Sequence, residues 1–296
     1  NVERERQIIL QELLMYQDNP YFQLNAAVLA GMYGVNSALA TDIAGTTASL
    51  EQIKPQVLED FWQRVYRADH LKMVVSSRFD LSQIRQWLDP LVLTLPTPLK
   101  ADWHQFHAGV VSQAHQEVTS KITQAKFAVG LKFPKLAEFA LSPRLLEELF
   151  GMALELNFGS LSNWYQEMVA AQTLSQDPEI YVSFSRQANY AMILGQSAHP
   201  KTMLSQIKQQ LQHFTVTAAD FELQQKELLA KTIKLQDRVD DFALEVLDAS
   251  FAGIDLQAAL QALQPLTFPQ FQEIVTQLVE LAEITTVQMK PQGVKQ

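Results

Sequence analysis

Apolar residues recur at helical spacing through most of the chain, and the first such stretch covers residues 1–17. We expect this helix to end at Asn19, because Pro20 disfavours a helical conformation of the residue before it. Within the helix, Glu3 is predicted to share a face with Leu10 and Leu14, so that its carboxylate points to the packed side. Similar spacing predicts helices over residues 21–33 and 55–67, from Pro143, from Ser160, from Pro200, and from Thr217 to about residue 249.

Shorter runs, either rich in β-branched residues or alternating between apolar and polar, predict strands between these helices. They cover residues 71–76, 110–117, 120–133, 180–186 and 190–196. Both halves of the chain therefore combine helices with strands, which places the chain in the α+β class.

Three prolines and no glycine lie within residues 89–100, which predicts an extended and fairly stiff connection. We therefore predict a first domain of residues 1–88, a linker of residues 89–100 and a second domain of residues 101–296. The first domain offers several helices but one clear strand, which is too little sheet to cover itself. It is therefore expected to be incomplete.

The two predicted domains carry a weak internal repeat, in which both copies show a short helix, a helix and a strand. At one constant offset, apolar positions of the first domain match those of the second: Ile53, Leu58, Phe61, Trp62, Val65, Leu71 and Val74 fall on Leu266, Phe271, Ile274, Val275, Leu278, Ile284 and Val287. At a slightly larger offset residues 6–15 match residues 226–235, and Glu3 falls on Leu223. Helical patterns also match by chance, so a coincidence stays open; the conserved order of elements argues against it.

Composition limits which kinds of partner the chain is expected to bind. The net charge of −9 argues against nucleic acid, because phosphate binding depends on Lys and Arg. The chain has no Cys, which excludes disulfides and thiolate metal sites and favours a cytoplasmic location. No apolar run reaches the roughly 18 residues needed to cross a bilayer, so no membrane partner is expected.

The first helix begins with the sequence VERERQIILQE, in which Glu3, Glu5 and Arg6 form an E-x-E-R pattern. This pattern resembles the helix that carries the third zinc ligand in the inverted-motif metallopeptidases, the family of pitrilysin, insulin-degrading enzyme and the mitochondrial processing peptidase. Residues 42–53 (DIAGTTASLEQI) and 158–165 (FGSLSNWY) are also family-like and resemble a bacterial, processing-peptidase-like branch.

The resemblance implies two related domains, each a mainly antiparallel sheet covered by helices, of which the first carries zinc. Glu3 would be one zinc ligand, while two His and the catalytic Glu come from an H-x-x-E-H helix that this sequence does not contain. The chain is thus expected to be the C-terminal portion of a zinc-dependent endopeptidase for peptides or unfolded segments. The isolated chain is expected to hold no zinc and to be inactive.

Two alternatives remain open. Some members of the family keep the two-domain clamshell, lose the zinc motif, and serve as structural or partner subunits, so a homo- or heterodimer is a further expectation. A two-domain peptide-binding protein unrelated to the family would require both the repeat and the opening motif to be accidents. The substrate cannot be identified from the sequence.

Other candidate residues carry less specific signals. His104 and His107 have the helical spacing of two metal ligands, and His115 follows. They enter a strand-like region, however, where positions three apart face opposite ways, which argues against a metal site. Family members hold the peptide main chain with polar and aromatic residues of the second domain. Arg186 and Tyr190 are candidates for that substrate-binding role, although sheet-surface or core positions explain them as well.

Overall fold

A computed structural model describes residues 2–67, 70–90, 109–174, 176–185 and 187–293. Within these ranges the chain forms, in order, α1 (Val2–Gln17), α2 (Pro20–Tyr33), α3 (Thr47–Gln52), α4 (Pro55–Val65), α5 (Leu81–Leu88), β1 (His115–Ser120), β2 (Lys126–Lys132), α6 (Pro143–Phe158), α7 (Asn163–Ala170), β3 (Glu179–Phe184), β4 (Asn189–Gln196), α8 (Pro200–Gln212), α9 (Ala218–Gln236), α10 (Val239–Ala252), α11 (Leu256–Leu263), α12 (Phe268–Leu281) and β5 (Glu283–Pro291). None of the described helices is long and apolar enough to cross a membrane.

The strands of the described residues form one sheet in the order β1-β5-β2-β4-β3. The pairs β5–β2, β2–β4 and β4–β3 are antiparallel, and β1 pairs parallel with β5. The predicted α+β fold with a mainly antiparallel sheet is confirmed. The sheet leaves β1 and β3 at its two edges, while β5, from the end of the chain, lies inside it.

One face of the sheet carries the main hydrophobic core. On β2 the side chains of Phe127, Val129 and Leu131 point to this face, because alternate residues of a strand share a side. Helices α6, α8 and α12 cover them with the buried residues Leu146, Phe150, Leu154, Met203, Ile207 and Leu278. The side chain of Ser142 caps the start of α6, as its position before Pro143 predicts.

Helix α2 covers the opposite face of the sheet. Its residues Leu24, Val28 and Met32 are buried against a second cluster formed by Ala128, Met192, Leu194, Val287 and Met289. The helix approaches β2 so closely that a Cβ on Gly130 would lie 2.6 Å from Val28 Cγ1. A helix of the predicted first domain therefore completes the core of the predicted second domain.

The predicted linker lies mostly outside the described residues, so the division into domains stays a prediction. Several sequence predictions differ from the structure. The strands predicted at residues 110–117 and 120–133 form at His115–Ser120 and Lys126–Lys132. Residues 71–76 form no strand in the structure, because a strand needs backbone partners and no described strand pairs with them. The helix predicted to run from Thr217 to residue 249 is divided at Asp237 and Arg238 into α9 and α10.

The region before residue 91 exposes many apolar side chains. Helices α4 and α5 are amphipathic, yet neither contains a buried residue. Phe61, Trp62 and Trp87 are 47%, 60% and 55% exposed, and Leu71 and Met73 are 62% and 65% exposed. This many exposed large apolar side chains in one region is typical of a contact surface.

Candidate functional site

Glu3 lies in the first turn of α1, and its side chain is 64% exposed. The predicted orientation towards the packed side is wrong. The packed face of α1 is formed by Leu13, which is buried, and by Arg6, whose side chain is only 18% exposed. Leu14, predicted to share the packed face with Glu3, is 57% exposed. The helix is rotated by about one position from the expected phase, so the Glu3 carboxylate is open to solvent.

Arg6 holds this carboxylate from the packed side of the helix. Its Nη1 donates to Glu3 Oε2 in an ion pair, and its Nη2 donates to the carbonyl oxygen of Ile53 at 2.6 Å. The other oxygen, Glu3 Oε1, accepts a long hydrogen bond of 3.4 Å from Gln7 Nε2. One carboxylate oxygen is therefore firmly engaged, and the other is nearly free.

Glu3 fits the role of one metal ligand, since it offers an exposed carboxylate with one weakly engaged oxygen. It does not form a site by itself. In the described part of the chain, no group of three or more His, Cys, Asp or Glu side chains lies close enough to hold a metal ion. Zinc sites in proteins need at least three protein ligands, so the remaining ligands would have to come from elsewhere.

Two described histidines, His70 and His115, have partners of their own. His104 and His107 lie outside the described residues. His115 Nδ1 lies 2.9 Å from Thr286 Oγ1, across the parallel β1–β5 pair, and His70 Nδ1 lies 3.1 Å from the carbonyl of Val65. Each of these two described imidazoles thus has a local hydrogen-bond partner.

The two predicted substrate-binding residues differ in what the structure shows. Arg186 lies outside the described residues. Tyr190 lies on β4, on the face of the sheet covered by α2, and packs edge-on against Tyr33 with ring centroids 6.2 Å apart. Burial raises the pKa of the Tyr190 hydroxyl, while its hydrogen bond with Ser183 lowers it. Tyr190 is therefore half-buried beside the β3 edge, and no described contact links it with Glu3.

Lysine side chains cover both tyrosines at the ends of α2. Lys132 Nζ lies 5.0 Å from the ring centroid of Tyr33, and Lys126 Nζ lies 4.0 Å from that of Tyr21. Burial lowers the pKa of both ammonium groups, whereas nearby carboxylates counteract it. Cation–π contacts of this kind contribute about 0.5–2 kcal/mol each. They hold α2 in place at both ends, and α2 follows directly after α1.

A cavity that the sequence did not indicate lies between α6, α9, α10 and α11, with a volume of about 600 Å³. At its side, Arg144 forms ion pairs with Glu148 at 2.8 Å, Glu245 at 3.0 Å and Glu147 at 3.4 Å. Burial raises the pKa of Glu147, which accepts a hydrogen bond of 2.8 Å from the backbone N–H of Phe184 at the end of β3. The only sequence signal is the cluster of charges directly after Pro143, which also fits an ordinary first turn of a helix.

Three kinds of similarity to known proteins bear on this arrangement. A family model described as the peptidase M16 inactive domain matches residues 52–228. The uncharacterized zinc protease YmfH of Bacillus subtilis (strain 168) is 23% identical over 300 residues, which cover 99% of this chain and 69% of that protein.

Among solved structures, a protease from Helicobacter pylori superposes with a TM-score of 0.79 at 14% identity, over 98% of this chain and 72% of its own. A chain of complex III2 from Candida albicans, determined with Inz-5 bound, gives a TM-score of 0.69 at 10% identity, over 97% of this chain and 70% of its own. At these identities the structural likeness shows a shared fold and carries no activity with it.

Proposed function

We propose that this chain, which belongs to the family of peptidase M16 inactive domains, works as the non-catalytic part of a zinc-dependent endopeptidase. In this proposal it contributes one zinc ligand, Glu3, and a fold that encloses a peptide substrate. The H-x-x-E-H helix, with two His ligands and the general base, is supplied by a polypeptide segment outside this chain.

The observation that carries the proposal is the state of Glu3 at the start of an E-x-E-R helix. Its carboxylate is exposed, Oε2 is fixed by Arg6, and Oε1 has only a long contact with Gln7. The arginine that orients it is partly buried, with 18% of its side chain exposed. The similarity to the zinc protease YmfH over 99% of the chain supports the same conclusion.

In this proposal the peptide hydrolysis depends on Glu3 of this chain and on the two His ligands and the general base of the H-x-x-E-H segment. When zinc is bound, it supplies a Lewis acid for the scissile carbonyl and lowers the pKa of a bound water. Glu3 provides a negative charge at a fixed place, because Arg6 and the α1 backbone restrict its rotamers. The described residues contain no group of three or more His, Cys, Asp or Glu side chains that could hold a metal ion, so no catalytic step is assigned to this chain alone.

The peptide-binding part of the proposal concerns the edge of the sheet. Strand β3 lies at an edge, and among the described strands only β4 pairs with it. An extended peptide adds to such an edge through main-chain hydrogen bonds. Tyr190, on β4, and Arg186, between β3 and β4 in the sequence, are the proposed substrate-binding residues. Replacing Tyr190 by Phe in the active protein should raise KM and leave kcat nearly unchanged, which steady-state kinetics with a peptide substrate would show.

A second candidate function has a specific observation in its favour. The matched family is described as an inactive domain, and the fold also occurs in a chain of complex III2 from Candida albicans. In that alternative the chain is a structural or partner subunit and Glu3 has no metal to bind. The exposed apolar surface of α4 and α5 fits a partner surface in either case.

A reconstitution experiment separates these functions. The chain is purified alone and together with a polypeptide that carries H-x-x-E-H, either fused before residue 1 or co-expressed, and each sample is assayed for zinc and for cleavage of a quenched fluorescent peptide. We expect neither zinc nor cleavage from the chain alone, because one carboxylate leaves the metal without enough ligands. The combined sample should bind zinc and cleave.

Stoichiometric zinc in the chain alone would contradict the proposal, since the ligands would then lie within it. A combined sample that forms a stable complex but neither binds zinc nor cleaves peptide would favour the partner-subunit function instead.

A further inference from the structure

We propose that α4, residues 71–77 and α10 form a docking surface for a partner polypeptide, which completes a second sheet around residues 71–77. In this arrangement α4 covers one face of that sheet and α10 covers the other. The identity of the partner, a polypeptide that carries H-x-x-E-H, rests on the proposed function. The surface itself follows from the described residues and does not depend on which residue binds a metal.

A contact of Lys72 has a counterpart in the described sheet. Lys72 Nζ donates to the carbonyl oxygen of Ser250 at 2.7 Å and to its Oγ at 2.9 Å, near the end of α10. At the constant offset of the predicted repeat, Lys72 falls on Thr285 of β5. Thr285 lies so close to α2 that a Cβ on Gly31 would be 2.5 Å from Thr285 Oγ1.

Helices α2 and α10 match each other independently of the strands. Each has 14 residues, and each ends at a glycine with positive φ, Gly34 at 92° and Gly253 at 70°. When the helices are aligned at these glycines, Gly31 falls on Ser250. The contact between residues 71–77 and α10 therefore corresponds to the contact between β5 and α2. Helix α10 thus lies against residues 71–77 in the way that α2 lies against β5.

The stripe with which α2 covers its sheet is also present on α10. In α2 this stripe consists of the buried residues Leu24, Val28 and Met32. On α10 the aligned positions are apolar as well: Ala243, Leu247 and Phe251. None of the α10 residues is buried, and Phe251 is 46% exposed, whereas its counterpart Met32 is fully buried. The α10 stripe therefore has the composition that covers a sheet and is accessible to a partner.

Helix α4 repeats this relation for the other face of the sheet. Its counterpart α12 buries Phe271, Val275 and Leu278, the last of them in the core on the sheet face opposite α2. In the repeat these positions fall on Leu58, Trp62 and Val65 of α4. Leu58 and Trp62 are 43% and 60% exposed, and α4 contains no buried residue. The two helices thus offer apolar stripes for opposite faces of one sheet.

The strand counterpart of residues 71–77 is an interior strand. β5 pairs parallel with β1 on one side and antiparallel with β2 on the other, whereas residues 71–77 pair with no described strand. Backbone N–H and C=O groups covered by helices on both faces need hydrogen-bond partners. The partner is therefore a polypeptide that adds one strand on each side of residues 71–77. In YmfH the matched region covers 69% of the protein, so that similar protein contains additional polypeptide beyond it.

The test measures association of this chain with a co-expressed H-x-x-E-H polypeptide by analytical ultracentrifugation. The variants are Trp62→Gln on α4 and Phe251→Gln on α10; Gln carries no charge, so Phe251→Gln adds no ion pair with Lys72. Leu223→Gln is the matched control, because Leu223 lies on helix α9 and is 64% exposed. Residue-resolved hydrogen exchange by NMR follows the amides of residues 71–77, and thermal melting of each chain alone monitors folding.

We expect Trp62→Gln and Phe251→Gln each to weaken association by roughly 10- to 100-fold, because each removes a large apolar side chain from the interface. Leu223→Gln should leave the affinity unchanged. Every amide of residues 71–77 should become protected in the complex, since an interior strand donates hydrogen bonds alternately to its two neighbours.

Three results would overturn the inference. Protection of only alternate amides would make residues 71–77 an edge strand, and unchanged affinity of a folded Phe251→Gln variant would remove α10 from the surface. If the H-x-x-E-H polypeptide does not bind, the assigned partner is wrong; a dimer of the chain alone that Trp62→Gln weakens would then assign the surface to a second copy. Failure of the proposed function looks different: a complex with all the expected protection that neither binds zinc nor cleaves peptide would contradict that function and support the docking surface.

Discussion

At Gly130 the close approach of α2 to β2 leaves no room for a side chain. A Cβ at this position would lie 2.6 Å from Val28 Cγ1 and 2.8 Å from Thr285 Cγ2. Gly130→Ala should therefore destabilise the protein by about 1–3 kcal/mol, the usual effect of overpacking a close-packed core. Urea denaturation, compared with the unmodified protein, measures the change.

Gly151 provides the matched control in α6. A Cβ there meets only Val182 Cγ2, at 3.9 Å, and Ala is favoured over Gly in a helix interior by about 0.5–1 kcal/mol. Gly151→Ala should thus be neutral or stabilising. Equal losses in the two variants would show that α2 does not dock on β2 as described.

For single residues, part of the candidate site could be predicted from the sequence. The E-x-E-R pattern pointed to Glu3 as a candidate, but the predicted orientation of its side chain was wrong. Two neighbouring apolar stripes on α1 compete, and only tertiary contacts decide which one packs. The contact between Arg6 and Ile53 joins residues far apart in the chain, so no local pattern contains it. For the same reason no local pattern predicts the ion pairs of Arg144, because its partner Glu245 lies on another helix.

Among the elements, residues 71–77 and α10 can be compared with their counterparts in the predicted repeat. Residues 71–74 match the start of β5, which lies inside the sheet between β1 and β2. At the larger offset α10 corresponds to α2, which buries Leu24, Val28 and Met32 against the sheet, whereas α10 contains no buried residue. In the predicted repeat, the first copy thus has a strand-like sequence that pairs with no described strand, and its counterpart α10 buries none of its residues within the described structure.

We predict that residues 71–77 become a strand when a polypeptide segment supplies the pairing strands. Lys72 already contacts α10, since its Nζ donates to the carbonyl of Ser250 at 2.7 Å. Hydrogen exchange should show residues 71–77, α4 and α10 exchanging faster than β2 and β4 in the chain alone. On binding of the H-x-x-E-H polypeptide, these three segments should become protected.

Equal protection of residues 71–77 and β2 in the chain alone, without a partner, would contradict this explanation. The β2 and β4 amides serve as the internal control, because both strands lie inside the described sheet and should not change on binding.

Elements of the second half were predicted with unequal accuracy: the strands expected at residues 110–117 and 120–133 form at His115–Ser120 and Lys126–Lys132. The hairpin of β3 and β4 was placed within one or two residues of its observed bounds, because both strands alternate clearly and a short turn separates them. The separation of α9 from α10 was missed because neither Gly nor Pro marks it; Asp237 and Arg238 are compatible with a continuous helix. The strand predicted at residues 71–76 shows that strand propensity is insufficient without a partner.

For the whole molecule, α2 is the link between the candidate ligand and the sheet. Glu3 lies on α1, α2 follows it directly, and the Lys126–Tyr21 and Lys132–Tyr33 contacts hold α2 at both ends of β2. The position of Glu3 thus depends on the sheet of the predicted second domain. Through this connection a domain without a metal cluster in its described residues influences where the candidate ligand lies.

The central claim is that Glu3 binds zinc in a site completed by residues outside this chain. The most direct measurement is the zinc content, after dialysis against a weak chelator, of the protein reconstituted with an H-x-x-E-H polypeptide, comparing Glu3→Gln with Glu5→Gln. Glu5 lies in the same exposed turn of α1, so the two substitutions remove the same charge from neighbouring positions. We predict that Glu5→Gln retains about one zinc per complex, as a three-ligand site does, and that Glu3→Gln loses it while the protein stays folded. Full zinc retention by Glu3→Gln would contradict the claim.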